Sequence, residues 1–199
     1  MRCNLEKHGR HSIRFMGYDY SYEGAYFITI CAHSQRCLFG EVKDSEMVSN
    51  EFGQIVQKYW HKLPELYPQA AFDMFVLMPN HIHGIVAIEV GAIHELPLQG
   101  RLQRRRMLIP KIVGRFKMNT AKRINLLRGM PGVQVWQRNY WEHIIRNEES
   151  LNRIREYMLS NPKRWLLDRQ NPTRIGEDDR IGEDDFDRWL TGPFNALKA

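Results

Sequence analysis

Two apolar runs held apart by a Pro-Asn pair constrain this chain most. Phe72-Asp73-Met74-Phe75-Val76-Leu77-Met78 and His81-Ile82-His83-Gly84-Ile85-Val86-Ala87-Ile88 flank Pro79-Asn80. Proline cannot donate to a strand ladder and asparagine tolerates turn conformations, so the natural reading is a β-hairpin.

The flanking segments carry strand and helix signals. Tyr26-Phe27-Ile28-Thr29-Ile30-Cys31-Ala32 is β-branched and aromatic and predicts a strand. After a turn at His33-Ser34-Gln35, residues 37–42 predict a short strand paired to it. Phe52, Ile55, Val56, Tyr59, Trp60 and Leu63 recur at three- and four-residue spacing, predicting a helix over 50–66 with Asn50 as N-cap and Pro68 beyond its end. A second helix is expected over 108–127, with Ile109, Val113, Phe116, Ile124 and Leu127 on one side and Lys111, Arg115 and Lys122 on another. Residues 133–145, with Trp136, Tyr140 and Trp141, predict a last strand or two short ones. Residues 148–160 predict a third helix with a stripe of Leu151, Ile154 and Met158, stopping near Asn161-Pro162 because a residue before proline resists the α conformation. The order strand, helix, hairpin, helix, strand predicts an α+β fold, ferredoxin-like or RRM-like: an antiparallel sheet with helices on one face. The third helix is then an addition near the open face.

Charge is unevenly distributed along the 199 residues, whose formal net charge is +6. Residues 171–199 carry four basic and seven acidic side chains, which leaves +9 on residues 1–170. Between Glu95 and Glu142 there are eleven Arg or Lys and no acidic residue. A one-signed stretch of this kind attracts polyanions, nucleic acid above all. The tail repeats Arg174-Ile175-Gly176-Glu177-Asp178-Asp179 as Arg180-Ile181-Gly182-Glu183-Asp184-Asp185, a single duplication rather than a solenoid. No apolar run approaches the roughly 20 residues of a membrane span. Met1-Arg2-Cys3-Asn4-Leu5-Glu6-Lys7 lacks the apolar core of a signal peptide. The expected location is therefore cytoplasmic. Three cysteines with no CxxC spacing are expected to be reduced.

The chemistry-bearing residues are few. In a strand, positions i and i+2 point the same way, so His81 and His83 can turn two imidazoles toward one divalent ion while Ile82 enters the core. Tyr157 sits beside the apolar stripe of the third helix, and Asn161 follows one turn later on the same side. Trp136, Tyr140 and Trp141 are either core or base-stacking residues. No GxxxxGK[ST] phosphate loop occurs.

These residues carry a resemblance. Met78-Pro79-Asn80-His81-Ile82-His83-Gly84-Ile85-Val86 resembles the HUH (His-hydrophobic-His) motif of single-tyrosine transposases. The run from Trp136-Gln137-Arg138-Asn139-Tyr140-Trp141-Glu142-His143 to Glu149, followed by Tyr157-Met158-Leu159-Ser160-Asn161-Pro162, is similar to the REP-associated branch (RAYT) of that IS200-like superfamily, as is the basic segment from Phe116-Lys117 to Ile124-Asn125. The similarity spans about residues 10–165.

Polar residues 1–20 read as an N-terminal arm and residues 168–199 as an acidic tail, and the resemblance makes residues 21–167 the catalytic domain. It implies Mg²⁺ or Mn²⁺ on His81 and His83, and Tyr157 as the nucleophile. Asn161 stands where many relatives carry a glutamine that is a further ligand. The implied reaction cleaves and rejoins hairpin-bearing single-stranded DNA through a 5′-phosphotyrosine, in a monomer or homodimer and without a membrane. Arg104, Arg105, Arg106, Lys111, Arg115, Lys117, Lys122 and Arg123 would track the phosphates. Two rival readings are a non-catalytic single-strand-binding module of RRM-like fold and a metal-dependent phosphodiesterase that uses water.

Overall fold

The computed structural model describes residues 24–88, 108–168 and 170–176. Strand β1 (Gly24–Cys31) is followed by a 3₁₀ turn at His33–Gln35, a hairpin of β2 (Gly40–Lys43) and β3 (Glu46–Ser49), helix α1 (Glu51–His61) and the single turn α2 (Leu63–Leu66). Then come β4 (Ala70–Leu77), β5 (His81–Ile88), α3 (Leu108–Leu127), β6 (Trp141–Ile145), α4 (Glu148–Ser160) and a 3₁₀ segment at Pro162–Leu167.

The main sheet has the order β4-β5-β1-β6, every neighbouring pair antiparallel. With α1 between β1 and β4, and α3 between β5 and β6, this is the expected ferredoxin-like α+β topology. The hairpin around Pro79-Asn80 stands as predicted, with Leu77 opposite Ile82.

The strand expected over 37–42 does not pair with β1. Gly40–Lys43 pairs with Glu46–Ser49 in a separate two-stranded sheet. Both edges of β1 are already taken, by β5 and β6. Asp44 and Ser45 adopt φ of 50° and 67°, as a two-residue hairpin turn of the primed kind requires. Helix α1 begins as expected, the Asn50 side chain accepting hydrogen bonds from the Phe52 and Gly53 N–H groups at 3.0 Å each. It ends at His61 rather than running to 66, because Pro64 has no N–H to continue the ladder.

Alternation along the strands divides the core between the two faces of the sheet. Tyr26, Ile28, Ile30, Ile82 and Val86 pack under α1 and α3 with Val56, Trp60, Ile112, Val113, Phe116 and Ile124. On the other face, Phe27, Ile85 and Ile145 pack under α4 with Ile154 and Met158. The added helix thus covers the open face, as expected. Gly84 faces α1, where a Cβ would come within 2.2 Å of the Trp60 ring, so glycine follows His83 because the benzo edge of the indole closes on the backbone there.

Three burial details depart from expectation. Leu127, the last residue of α3, is 46% exposed. Leu151 is only half-buried, whereas Ser150 and Arg153 are buried. Cys37 is exposed in a loop rather than set in a strand; it and Cys31 are free thiols.

Candidate functional site

His81 and His83 lie at the start of β5 on the face covered by α4, 0% and 3% exposed. Their Nε2 atoms converge to 3.1 Å. Burial pushes the His81 imidazolium down to about 3, and holds that of His83 well below the ordinary histidine range, reinforced by the proximity of His81. Both rings are neutral at physiological pH, the form that ligates metals.

The tautomers follow from their partners. The Asn80 side-chain N–H groups donate to the main-chain oxygens of Gln35 (3.0 Å) and Gln170, which leaves Oδ1 as an acceptor. His81 Nδ1, 2.8 Å from that oxygen, must therefore carry its hydrogen, and His81 Nε2 is a bare lone pair. His83 donates from Nε2 to that lone pair and accepts at Nδ1 from the Thr29 hydroxyl at 2.8 Å. Because a hydroxyl both donates and accepts, Thr29 equally supports the other tautomer, in which His83 Nε2 is bare as well. The pair can thus present two convergent lone pairs without any change of net charge.

Helix α4 brings the phenol. The Asn147 side chain caps its start, accepting from the Ser150 N–H at 2.8 Å. Arg155 forks onto both carboxylate oxygens of Asp73 at 2.8 and 2.9 Å. Asp73 sits in a bulge of β4, between Phe72 and Phe75, that sends Phe72 and Phe75 to one face and Met74 and Val76 to the other. Two residues beyond Arg155, the Tyr157 ring lies 5.5 Å from the His83 ring and meets Phe27 edge-on at 6.0 Å. Asn161 is 3% exposed, and its Nδ2 has no hydrogen-bond partner among the described residues.

The segment after α4 adds residues that sequence reasoning assigned to the tail or passed over. Trp165 packs 6.1 Å from the His81 ring. Asp168 Oδ2 reaches to 3.9 Å of His81 Nε2, while its Oδ1 accepts the Gln170 N–H at 2.7 Å. With His81 neutral, that contact is not an ion pair. Asn171 is buried and donates to the Trp165 carbonyl. No pattern in the sequence marks Asp168, because it reaches the site through a turn and not through strand or helix periodicity.

Two bare or readily bared imidazole nitrogens 3.1 Å apart fit a divalent ion. Among the described residues, however, no three His, Cys, Asp or Glu side chains stand close enough as they are to hold one. Further ligands would come from a small inward shift, from Asn161 or from a phosphate.

The expected basic residues fall into three groups. Lys111, Arg115, Lys122 and Arg123 are exposed on α3, which packs on the sheet face opposite the histidines. Lys117 is half-buried, donates to the carbonyls of Gln137 (3.0 Å) and Asn139 (2.8 Å), and is lowered to about 8 by burial. Arg104, Arg105 and Arg106 lie outside the described residues. Trp136 is core: it is buried and donates to Thr120 at 2.8 Å. No described helix is long and apolar enough to cross a membrane.

Fold and site together define an α+β protein in which paired strand imidazoles face a helix phenol. The chain belongs to one family with an uncharacterized protein of Haemophilus influenzae, 41% identical over 174 residues that cover 84% of this chain and 96% of that one. No family model matches. Among solved structures, it is similar to a REP-associated tyrosine transposase bound to a REP hairpin, at 18% identity and a TM-score of 0.46 over 76% of this chain and 73% of that one. It is also similar to a candidate transposase from Deinococcus radiodurans, at 16% identity and a TM-score of 0.38 over 72% and 93%. Likenesses this slight carry no argument about function, which rests on the residues.

Proposed function

We propose that this protein is an HUH-type single-tyrosine transposase of the REP-associated kind, cleaving and rejoining single-stranded DNA at hairpins. One observation carries the reading: within a single chain the Tyr157 ring stands 5.5 Å from His83, whose Nε2 faces that of His81. A structural tyrosine needs no such neighbours.

In this reading His81 and His83 hold Mg²⁺ or Mn²⁺, with the Asn161 amide one turn beyond Tyr157 as a further donor. When bound, the cation polarises the scissile phosphate and offsets its developing charge. Tyr157 Oη bonds to phosphorus as the P–O3′ bond breaks; the phenolic proton passes to solvent or a base, and the departing 3′ oxygen takes one up. The products are a 5′-phosphotyrosine and a free 3′-OH, and reversal rejoins the strand. Phe27 and Asp73–Arg155 hold the phenol against the sheet while Asn80 and Thr29 orient the rings. Because the imidazoles are buried beneath Tyr157 and Trp165, a strand reaches them only as that cover opens. Lys111, Arg115, Lys122, Arg123 and the arginines at 104–106 are assigned to the phosphate backbone, with the third donor of Lys117 nearer the site.

The test is covalent capture. The full chain, labelled hairpin-bearing single-stranded DNA and Mn²⁺ should give a conjugate that survives denaturation, absent with Tyr157→Phe. A conjugate formed equally by Tyr157→Phe removes the nucleophile assignment. Tight binding with no conjugate from the wild type favours the binding-only module.

A further inference from the structure

We propose that Asp168 is the anionic ligand that completes the cation site of His81 and His83, an inference that rests on the metal-dependent reading above. Two neutral imidazoles buried against Phe27 and Trp165 contribute lone pairs but no negative charge, and a dication among apolar walls is costly without one. Among the described residues Asp168 brings a carboxylate to them, its side chain only 12% exposed.

Its geometry is directional. Oδ1 accepts the Gln170 N–H at 2.7 Å, which sets the rotation of the carboxylate and turns Oδ2 toward His81 Nε2, 3.9 Å away. That nitrogen is the one facing His83 Nε2 at 3.1 Å. Donors that share an ion at about 2.1 Å lie roughly 3.0 to 3.4 Å apart at octahedral and tetrahedral angles. The two nitrogens already have that spacing, and Asp168 Oδ2 needs to close on His81 Nε2 by less than about 1 Å. Two imidazoles and a carboxylate favour Mn²⁺ over Mg²⁺, since imidazole is a poor partner for the harder ion. The turn that carries Asp168 is itself fixed to the hairpin, the Gln170 carbonyl accepting from Asn80 and the Gln170 side chain accepting from Gln35 at 3.1 Å. Ligand and histidines are thereby tied to the same Pro79-Asn80 turn.

Mn²⁺ binding to the full chain, followed by electron paramagnetic resonance in the absence of DNA, separates this inference from the reading beneath it. Asp168→Asn keeps an oxygen for the Gln170 N–H and should weaken Mn²⁺ at least about tenfold; Asn161→Ala should weaken it less. Asp168→Cys loaded with Co²⁺ should show a thiolate-to-cobalt charge-transfer band that the wild type lacks, a signature that loss of a merely structural aspartate would not produce. If His83→Ala loses Mn²⁺ while Asp168→Asn binds as the wild type does and Asp168→Cys shows no band, Asp168 is not a ligand and the histidine site stands. If His83→Ala and the wild type bind alike, the histidine site falls and Asp168 with it.

Discussion

Asn80 Oδ1 accepts the Nδ1 hydrogen of His81 at 2.8 Å, and that bond decides which nitrogen of His81 is bare. The acceptor is committed, because the two N–H groups of the same amide are taken by the carbonyls of Gln35 and Gln170. Asn80→Ala removes the constraint and lets His81 place its hydrogen on Nε2, toward His83. The Mn²⁺ dissociation constant, measured by titration calorimetry, should rise about 10- to 100-fold, as for other partners that orient a ligating histidine. An unchanged constant means that the tautomer is not set here.

The buried imidazoles make stability sensitive to acid. His81 is lowered to about 3 in the folded chain from an ordinary value of 6.5. Between those limits the unfolded chain binds a proton that the folded chain refuses, so stability is complete above about pH 6.5 and falls as pH drops toward 3. At pH 5 the loss is on the order of 2 kcal/mol from His81, and His83 acts in the same direction. Urea unfolding at pH 7.5 and 5.0, with chelator present, should show this drop in the wild type and a smaller one in His81→Gln.

Arg155 and Asp73 hold the helix that carries Tyr157 on the edge strand β4, yet both are about a third exposed. Solvent therefore screens their attraction, and a double-mutant cycle in urea should give a coupling below about 1 kcal/mol. Position is a different matter: Arg155→Ala frees the helix from β4 two residues before Tyr157. The rate of covalent conjugate formation should fall about tenfold or more, while the chain keeps most of its stability. Equal, small losses in both would mean that the pair is only a surface contact.

Much of this was legible in the sequence because it rests on periodicity and turn chemistry. The period-two alternation around His81 and His83 placed both rings on one face, and α3 and α4 were bounded by their apolar spacing and by Pro162. The rest depends on an unmarked local turn or on contacts distant in sequence. Asp44-Ser45 has the aspartate but not the glycine of the pairs that mark a primed turn, so the small hairpin is not legible in the sequence. Asp73 reads as an interruption in an apolar run until the bulge turns it toward Arg155. Asp168 reads as tail until a turn returns it to His81. The exposed lysines and arginines of α3 share a helix face, but periodicity says nothing about which face of the sheet that helix covers.

Gly84 offers the strictest test of packing beneath the site. A Cβ there would lie 2.2 and 2.5 Å from two atoms of the Trp60 ring. That indole is wedged among Phe72, Phe75 and Phe116 at ring separations of 4.9 to 5.8 Å, so it has little room to retreat. Gly84→Ala should destabilise the chain by about 1–3 kcal/mol, the usual cost of overpacking. Because Gly84 follows His83 in β5, the strain should also disturb the imidazole pair and weaken Mn²⁺ binding. Trimming the indole relieves the clash but opens a cavity, so Trp60→Leu alone should also destabilise. The two substitutions together should cost less than the sum of each alone, a non-additivity expected of groups in direct contact. Thermal or urea unfolding of the four proteins reads this coupling directly; strict additivity would show that the indole does not constrain the backbone beside the histidines.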